Sequence, residues 1–175
     1  VADRTFTIEF LDPGAEAYSF RTFSEQRYES QLLNSYGHPV PRVAGKLQEA
    51  GAEWRARVIA KEFSADTDRM VLDLRNAYNV PTLRKLEREV ILDRRGAGSV
   101  TIIDRVEFSA PAAFESALIS LGKVTIDGNR VRLADGPTAL DVEVIVDGAK
   151  LESSTDTLNQ PPHPTRIALR CQGEV

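Results

Sequence analysis

Short runs in which apolar and polar residues alternate occur along most of the chain. They cover residues 5–10, 39–43, 53–63, 69–74, 86–93, 99–108, 124–126, 130–133, 139–146 and 165–171. A period of two is typical of a strand with one buried face. Residues 114–121 fit either an amphipathic helix or a strand, and the surrounding strands favour a strand.

Turn-forming residues separate these runs. Gly96-Ala97-Gly98 and Asp127-Gly128 each lie between two alternating runs, which is typical of a β-hairpin. One short helical turn is predicted at 79–86, with Pro81 near its first position. Many short strands spaced by turns predict an all-β fold, a two-layer antiparallel β-sandwich with at most one or two short helical turns.

Composition narrows the class of protein further. A length of 175 residues with 42% hydrophobic content suffices for one core, so residues 1–175 are predicted to form a single domain. The net charge of -4 argues against nucleic-acid binding, which needs a basic face. The lone Cys171 excludes an internal disulfide. No apolar run approaches the roughly 20 residues of a membrane span, so no membrane partner is expected.

The unusual chemistry is concentrated in residues 10–48. Asp12 stands where the first predicted strand ends, a place where functional side chains are often carried. His38 lies in Gly37-His38-Pro39-Val40-Pro41, where two prolines stiffen the chain. Taken singly, an Asp before Pro is usually an Asx-turn and a loop histidine is usually solvated. Their shared neighbourhood makes them candidates for one site.

Several separated motifs in this stretch occur in a fixed order. They are L-D-P-G at 11–14, Y-x-x-x-T-F at 18–23, R-Y-E at 27–29, N-S-x-x-H-x-x-P-x-V-x-G at 34–45 and Gln48. Together they resemble the C-terminal β-sandwich region of the heparinase II/III-like polysaccharide lyases. The resemblance implies a lyase that cleaves an acidic, uronate-containing glycan by β-elimination, in the bacterial periplasm or outside the cell. It also implies that an N-terminal helical toroid domain belongs to the same protein, so this chain alone should have little or no activity.

The resemblance implies a zinc site as well. Asp12 and His38 match two of the family's ligands, and the third comes from a His-x-His segment that would precede Asp12 and is absent from this chain. Pro39 stands where relatives commonly have Asn. The zinc would mainly brace the fold rather than activate water.

For the elimination chemistry, Tyr28 in the R-Y-E motif is the candidate catalytic residue, because a tyrosine can exchange a proton with substrate. Arg27, Arg21 and Tyr18 are the candidate substrate-binding residues, since arginine can grip a carboxylate or sulfate through two parallel hydrogen bonds. The ordinary alternatives are a tyrosine that only packs its ring, and arginines neutralised by nearby glutamates.

A second class of function stays open on the residues alone. The same sandwich would suit a non-catalytic carbohydrate-binding module or a purely structural domain. A solvent-exposed row of aromatic residues on one sheet would favour carbohydrate binding. The chain offers Trp54 and scattered Tyr and Phe, which look more like core residues.

Overall fold

The computed structural model describes residues 16–173. The predicted strand at 5–10 and the candidate ligand Asp12 lie outside this range. The described part of the chain divides into two compact units. One is Glu49–Ala110, the 49–110 unit, and the other combines 16–48 with 111–173, the two-segment unit.

The fold is all-β, as the alternation predicts. The strands in chain order are β1 (Arg42–Val43), β2 (Arg57–Phe63), β3 (Thr67–Asp73), β4 (Leu83–Asp93), β5 (Ser99–Phe108), β6 (Ala113–Ser120), β7 (Lys123–Asp127), β8 (Arg130–Asp135), β9 (Thr138–Glu143), β10 (Ala149–Thr157) and β11 (Thr165–Gly173). Among residues 16–173, the helical residues form four short 3-10 helices, at Arg21–Phe23, Glu25–Glu29, Ser35–Gly37 and Arg75–Ala77. The sequence predicted at most one or two such turns.

The 49–110 unit contains one antiparallel sheet in the order β2-β3-β4-β5. The predicted hairpin is confirmed, because β4 and β5 pair from Leu83 opposite Phe108 to Asp93 opposite Ser99. Leu86 of β4 is fully buried. The edge strand β2 is largely exposed along its length.

The two-segment unit contains two antiparallel sheets, β1-β6-β11-β10 and β7-β8-β9. Leu118, Ile167 and Leu169 of the first sheet form one core with Val131 and Leu133 of the second. Each such side chain contributes about 1.5–3 kcal/mol when it is fully buried. This packing of sheet against sheet is the sandwich arrangement that the alternation predicts.

Residues 16–41 contain 3-10 helices and turns in place of strands. Leu32 and Thr22 are buried, which anchors the segment. The φ angle of Gly37 is not positive, so an unusual backbone angle does not explain why glycine stands here. A Cβ at Gly37 would instead clash with the carbonyl oxygen of Gln31. The glycine is therefore required by a close backbone approach.

Several local predictions differ from the structure. The helical turn at 79–86 is a β-turn, in which the Leu83 N–H donates to the Val80 carbonyl at 3.0 Å and Pro81 takes the second position. The predicted strand at 53–63 begins only at Arg57. The strand β10 was not predicted, because its sequence A-K-L-E-S-S-T-D-T contains few apolar residues and its place in the sheet comes from pairing with β11.

Candidate functional site

Glu16 fastens the segment that carries most of the predicted site residues. Arg21 Nη2 donates to both carboxylate oxygens of Glu16, at 3.0 and 2.9 Å. The Ser30 hydroxyl donates to Glu16 Oε2 at 2.7 Å, across fourteen residues of chain. The hydrogen bond from Ser30, followed by those from Arg21, holds the pKa of Glu16 below its usual value. An ionised Glu16 thus ties the two ends of this segment together.

Large aromatic side chains stand in solvent on this segment. Tyr18, Phe20 and Phe23 are 82%, 88% and 78% exposed. The Tyr18 and Phe23 rings lie 5.5 Å apart between centroids, at a tilted angle. Exposed apolar surface formed by neighbouring rings, as at Tyr18 and Phe23, commonly marks a place where another molecule binds. We call Tyr18, Phe20, Phe23 and Tyr28 the aromatic surface.

Tyr28 and Arg27 lie next to each other in space as well as in sequence. Tyr28 is half exposed, and the Arg27 guanidinium carbon lies 5.9 Å from the centroid of its ring. Arg27 Nη1 donates to the Thr22 carbonyl at 2.9 Å, and the Asn34 amide donates to the Tyr28 carbonyl at 3.1 Å. The backbone that carries Tyr28 is therefore held on both sides, while its ring reaches solvent.

The two predicted substrate-binding arginines differ in whether an internal carboxylate neutralises their charge. One terminal nitrogen of Arg21 forms an ion pair with Glu16. Arg27 contacts a carbonyl and forms no ion pair within residues 16–173. The positive charge of Arg27 is therefore more available to an anionic ligand than that of Arg21.

Of the two predicted zinc ligands, only His38 lies within the described residues. His38 is half-buried directly after the 3-10 helix Ser35–Gly37, and its carbonyl accepts the Val40 N–H at 2.8 Å. Asp12 lies outside the described range, so the meeting of these two side chains stays a prediction. Within residues 16–173, no group of three or more His, Cys, Asp or Glu side chains is arranged to hold a metal ion.

Arg166 is a buried charge that the sequence analysis missed. It is 1% exposed on β11, and its Nη1 lies 2.7 Å from Glu115 Oε1 on β6. Its Nε donates to the Tyr36 carbonyl at 2.9 Å, and its guanidinium lies 4.5 Å from the centroid of the Tyr36 ring. The Tyr36 hydroxyl donates to Asp156 Oδ2 on β10 at 2.8 Å. These contacts dock the segment around Tyr36 onto the outer face of the sheet.

Burial and the bond to Asp156 raise the pKa of Tyr36 above its usual value. This phenol therefore stays protonated at neutral pH and acts as a structural donor. A neighbouring cation, Arg170, donates to Glu115 Oε2 at 3.0 Å, so Glu115 lies between two arginines. Arg42, Glu115 and Arg170 also line a small cavity of about 170 Å³.

A sequence signal for this cluster exists. Arg166 and Arg170 are four residues apart on a strand, so both lie on the face opposite Ile167 and Leu169. If only the face that carries Ile167 and Leu169 were buried, Arg166 and Arg170 would both be exposed to solvent. Only the docking of residues 16–48 on the second face decides that Arg166 is buried.

The 49–110 unit carries a groove of about 400 Å³ that the sequence analysis also missed. Its lining combines aromatic and proline rings with planar polar side chains, namely Trp54, Tyr78, Pro81, Arg75, Asn76 and Asn79. Trp54 is half-buried here and is not a core residue as expected. The turn residues on both walls follow or precede strand ends, where alternation gives no signal.

No protein-family model matches the chain, and no curated protein matches it significantly. The resemblance to heparinase II/III-like lyases therefore rests on the sequence motifs alone. None of the helices among residues 16–173 has the length and apolar character needed to cross a bilayer.

Proposed function

We propose that this chain is the C-terminal β-sandwich region of a polysaccharide lyase of the heparinase II/III-like class. In this proposal it acts with a helical toroid domain of the same protein, in the periplasm or outside the cell. The substrate is an acidic glycan cleaved by β-elimination. The sandwich supplies one side of the substrate site, and the chain alone has little or no activity.

One observation carries the proposal, namely the aromatic surface set beside Arg27 on a braced segment. Exposed rings can cover the C–H faces of sugar units, and a cation beside them can pair with a uronate carboxylate or a sulfate. The brace at Glu16 reduces the ordering cost of binding, because the segment is held before a ligand arrives.

Within this proposal Tyr28 exchanges a proton with the substrate, and Tyr18, Arg21 and Arg27 hold the glycan. Half exposure leaves the Tyr28 ring accessible, and the nearby Arg27 supplies positive charge. Asp12 and His38 would hold zinc together with a ligand from outside this chain. Carboxylate oxygen and imidazole nitrogen are donors that zinc accepts, and such a metal would brace the loop around His38.

The test is a binding measurement with the chain and two acidic glycans, heparan sulfate and alginate oligosaccharides, by calorimetry and NMR. We expect Arg27→Ala and Tyr18→Ala each to weaken binding of the preferred glycan. Matched controls are Arg130→Ala, which removes an exposed arginine of β8, and Phe63→Ala, which removes an exposed aromatic of β2. Equal losses in the controls would contradict the proposal, and so would unsaturated uronate products formed by this chain alone.

A non-catalytic carbohydrate-binding module is the second candidate. The exposed rings near Tyr18 belong to a 3-10 segment and not to a sheet, so they do not form the aromatic row expected of such a module. The groove beside Trp54 is the observation that favours this candidate. Binding of neutral glycans without any binding of acidic glycans would support it over the lyase.

A further inference from the structure

The groove beside Trp54 is built from two pieces of chain at one end of the four-stranded sheet. Trp54 belongs to the segment that leads into β2, and the opposite wall is the connection from β3 to β4. In an antiparallel sheet the start of β2, the end of β3 and the start of β4 share one end. The site lies wholly within the 49–110 unit and does not depend on the lyase proposal.

The β3–β4 wall is fixed by its own hydrogen bonds. The Arg75 N–H donates to Asp73 Oδ1 at 3.1 Å, and Arg75 Nε donates to the Leu83 carbonyl at 3.1 Å. The Ala77 carbonyl accepts the Glu49 N–H at 3.0 Å, which ties the wall to the segment that precedes the Trp54 turn. Ala77 and Tyr78 are buried beneath it. A ligand would meet a groove that is already shaped.

The lining offers both parts of a sugar site. Trp54 supplies a broad apolar ring together with an indole N–H that can donate one hydrogen bond. Asn76 and Asn79 are exposed amides that can both donate and accept. Pockets that hold small ligands pair apolar walls with a few placed polar groups in this way.

The charges that line the groove argue against a strongly anionic ligand. Arg75 is the only cation among the lining residues, and Glu53 lines the same groove. A phosphate or a heavily sulfated sugar needs a surplus of positive charge, which this pairing does not provide. The Asn76 amide oxygen accepts a hydrogen bond from Arg75 Nη1 at 3.4 Å, but an apolar ligand would cover the Asn79 amide without giving it a partner. A neutral pyranose has a C–H face that can pack on the Trp54 ring and a rim of hydroxyls that can bond the polar side chains.

We propose that this groove binds a neutral pyranose ring of a glycan, with Trp54 covering the C–H face and Asn76, Asn79 and Arg75 bonding the hydroxyls.

Because Trp54 is the only tryptophan, its fluorescence reports on this groove alone. The experiment titrates the full chain with neutral oligomers of glucose, galactose, mannose and xylose, and follows Trp54 emission, acrylamide quenching and the indole N–H signal in NMR. We expect a saturable change and reduced quenching with at least one sugar.

Two variants test the assigned contacts. Asn79→Ala should weaken binding roughly 2- to 10-fold, the effect of one lost hydrogen bond. Trp54→Ala should abolish binding in calorimetry, with circular dichroism verifying that the variant is folded. Tyr18→Ala and Arg27→Ala are the matched controls, and both should bind the neutral sugar as the unchanged chain does.

Three results would overturn the proposal. The first is the absence of a saturable change with every sugar, and the second is binding that survives in a folded Trp54→Ala variant. Losses confined to Tyr18→Ala and Arg27→Ala would locate neutral sugar binding on the aromatic surface and also refute the groove. Acidic-glycan binding is measured separately, so failure here leaves the lyase proposal unaffected.

Discussion

Each of the two units contains a glutamate between two arginines, in very different surroundings. In the 49–110 unit, Glu89 accepts from Arg69 Nε at 2.6 Å and from Arg105 Nη1 at 2.8 Å, and both arginine side chains remain at least 36% exposed. In the two-segment unit, Glu115 pairs with Arg170, which is also exposed, and with Arg166, which is 1% exposed.

The chemical groups are the same in both clusters, so the clusters differ mainly in how deeply one arginine is buried. The Glu89 carboxylate is nearly as buried as that of Glu115, but both of its arginines remain in contact with solvent, and ion pairs with exposed partners contribute about 0–1 kcal/mol. The Arg166 guanidinium has lost its water and depends on Glu115 and the Tyr36 carbonyl. Within residues 16–173, Arg166 Nη2 and Glu115 Oε1 make no hydrogen bond of good geometry, which adds to the cost of burial.

Removing one arginine from each cluster tests whether burial sets the stability contribution of the ion pairs. Arg166→Ala leaves Glu115 buried with a single partner and detaches the Tyr36 segment, so we expect a loss of about 3–5 kcal/mol in the free energy of unfolding. Arg69→Ala should cost less than about 1 kcal/mol. Urea unfolding followed by circular dichroism measures both. Equal losses would show that burial is not the deciding factor.

An apolar pair tests the same contrast without charge. Ile167 is fully buried in the sandwich core, and Ile167→Ala should lower the unfolding free energy by about 2–5 kcal/mol. Ile102 on β5 is partly exposed, so Ile102→Ala should cost clearly less. Thermal unfolding of both variants gives the ranking. A larger loss at Ile102 would mean that the exposed face of its sheet is covered in solution.

Acid should act on the 49–110 unit through its ion pairs. Hydrogen bonds from Arg105 and Arg69 lower the pKa of Glu89 from 4.5, and bonds from Arg95 lower the pKa of Asp93 from 3.8 to about 2. A lowered folded-state pKa stabilises the fold above the unfolded value, and this stability is lost as pH falls through the folded one. Stability should therefore decline from about pH 4.5 towards pH 2.

Trp54 emission during acid titration follows this unit directly, because no other tryptophan contributes. Glu89→Gln should flatten the decline, since its side chain no longer titrates. A decline of unchanged steepness in Glu89→Gln would assign the acid sensitivity to other carboxylates.

The smallest effect is expected at Phe63. This residue lies on the edge strand β2 and is 62% exposed, so Phe63→Ser should change the unfolding free energy by no more than about 0.5 kcal/mol. A chemical denaturation curve measures it. A loss above 1 kcal/mol would indicate that the Phe63 ring is buried in solution.

Alternation along the chain determined the all-β class and most strand positions. It succeeded for β4, β5 and β8 because a strand with one buried face must place apolar side chains at every second residue. It failed for β10, where Ala149–Thr157 pairs with β11 while presenting few apolar side chains. Backbone hydrogen bonds to a neighbour can hold a strand whose own sequence carries no pattern.

For the candidate site, the sequence determined which residue types lie in the 16–38 segment, and the roles of Tyr18, Arg21, Arg27 and Tyr28 stay predictions. Only the tertiary structure decided that Glu16 is the partner of Arg21 and that Arg166 is buried beneath Tyr36. Both outcomes depend on which distant segments meet. A local pattern specifies the direction of a side chain along its own strand, whereas burial and charge pairing depend on what packs above it.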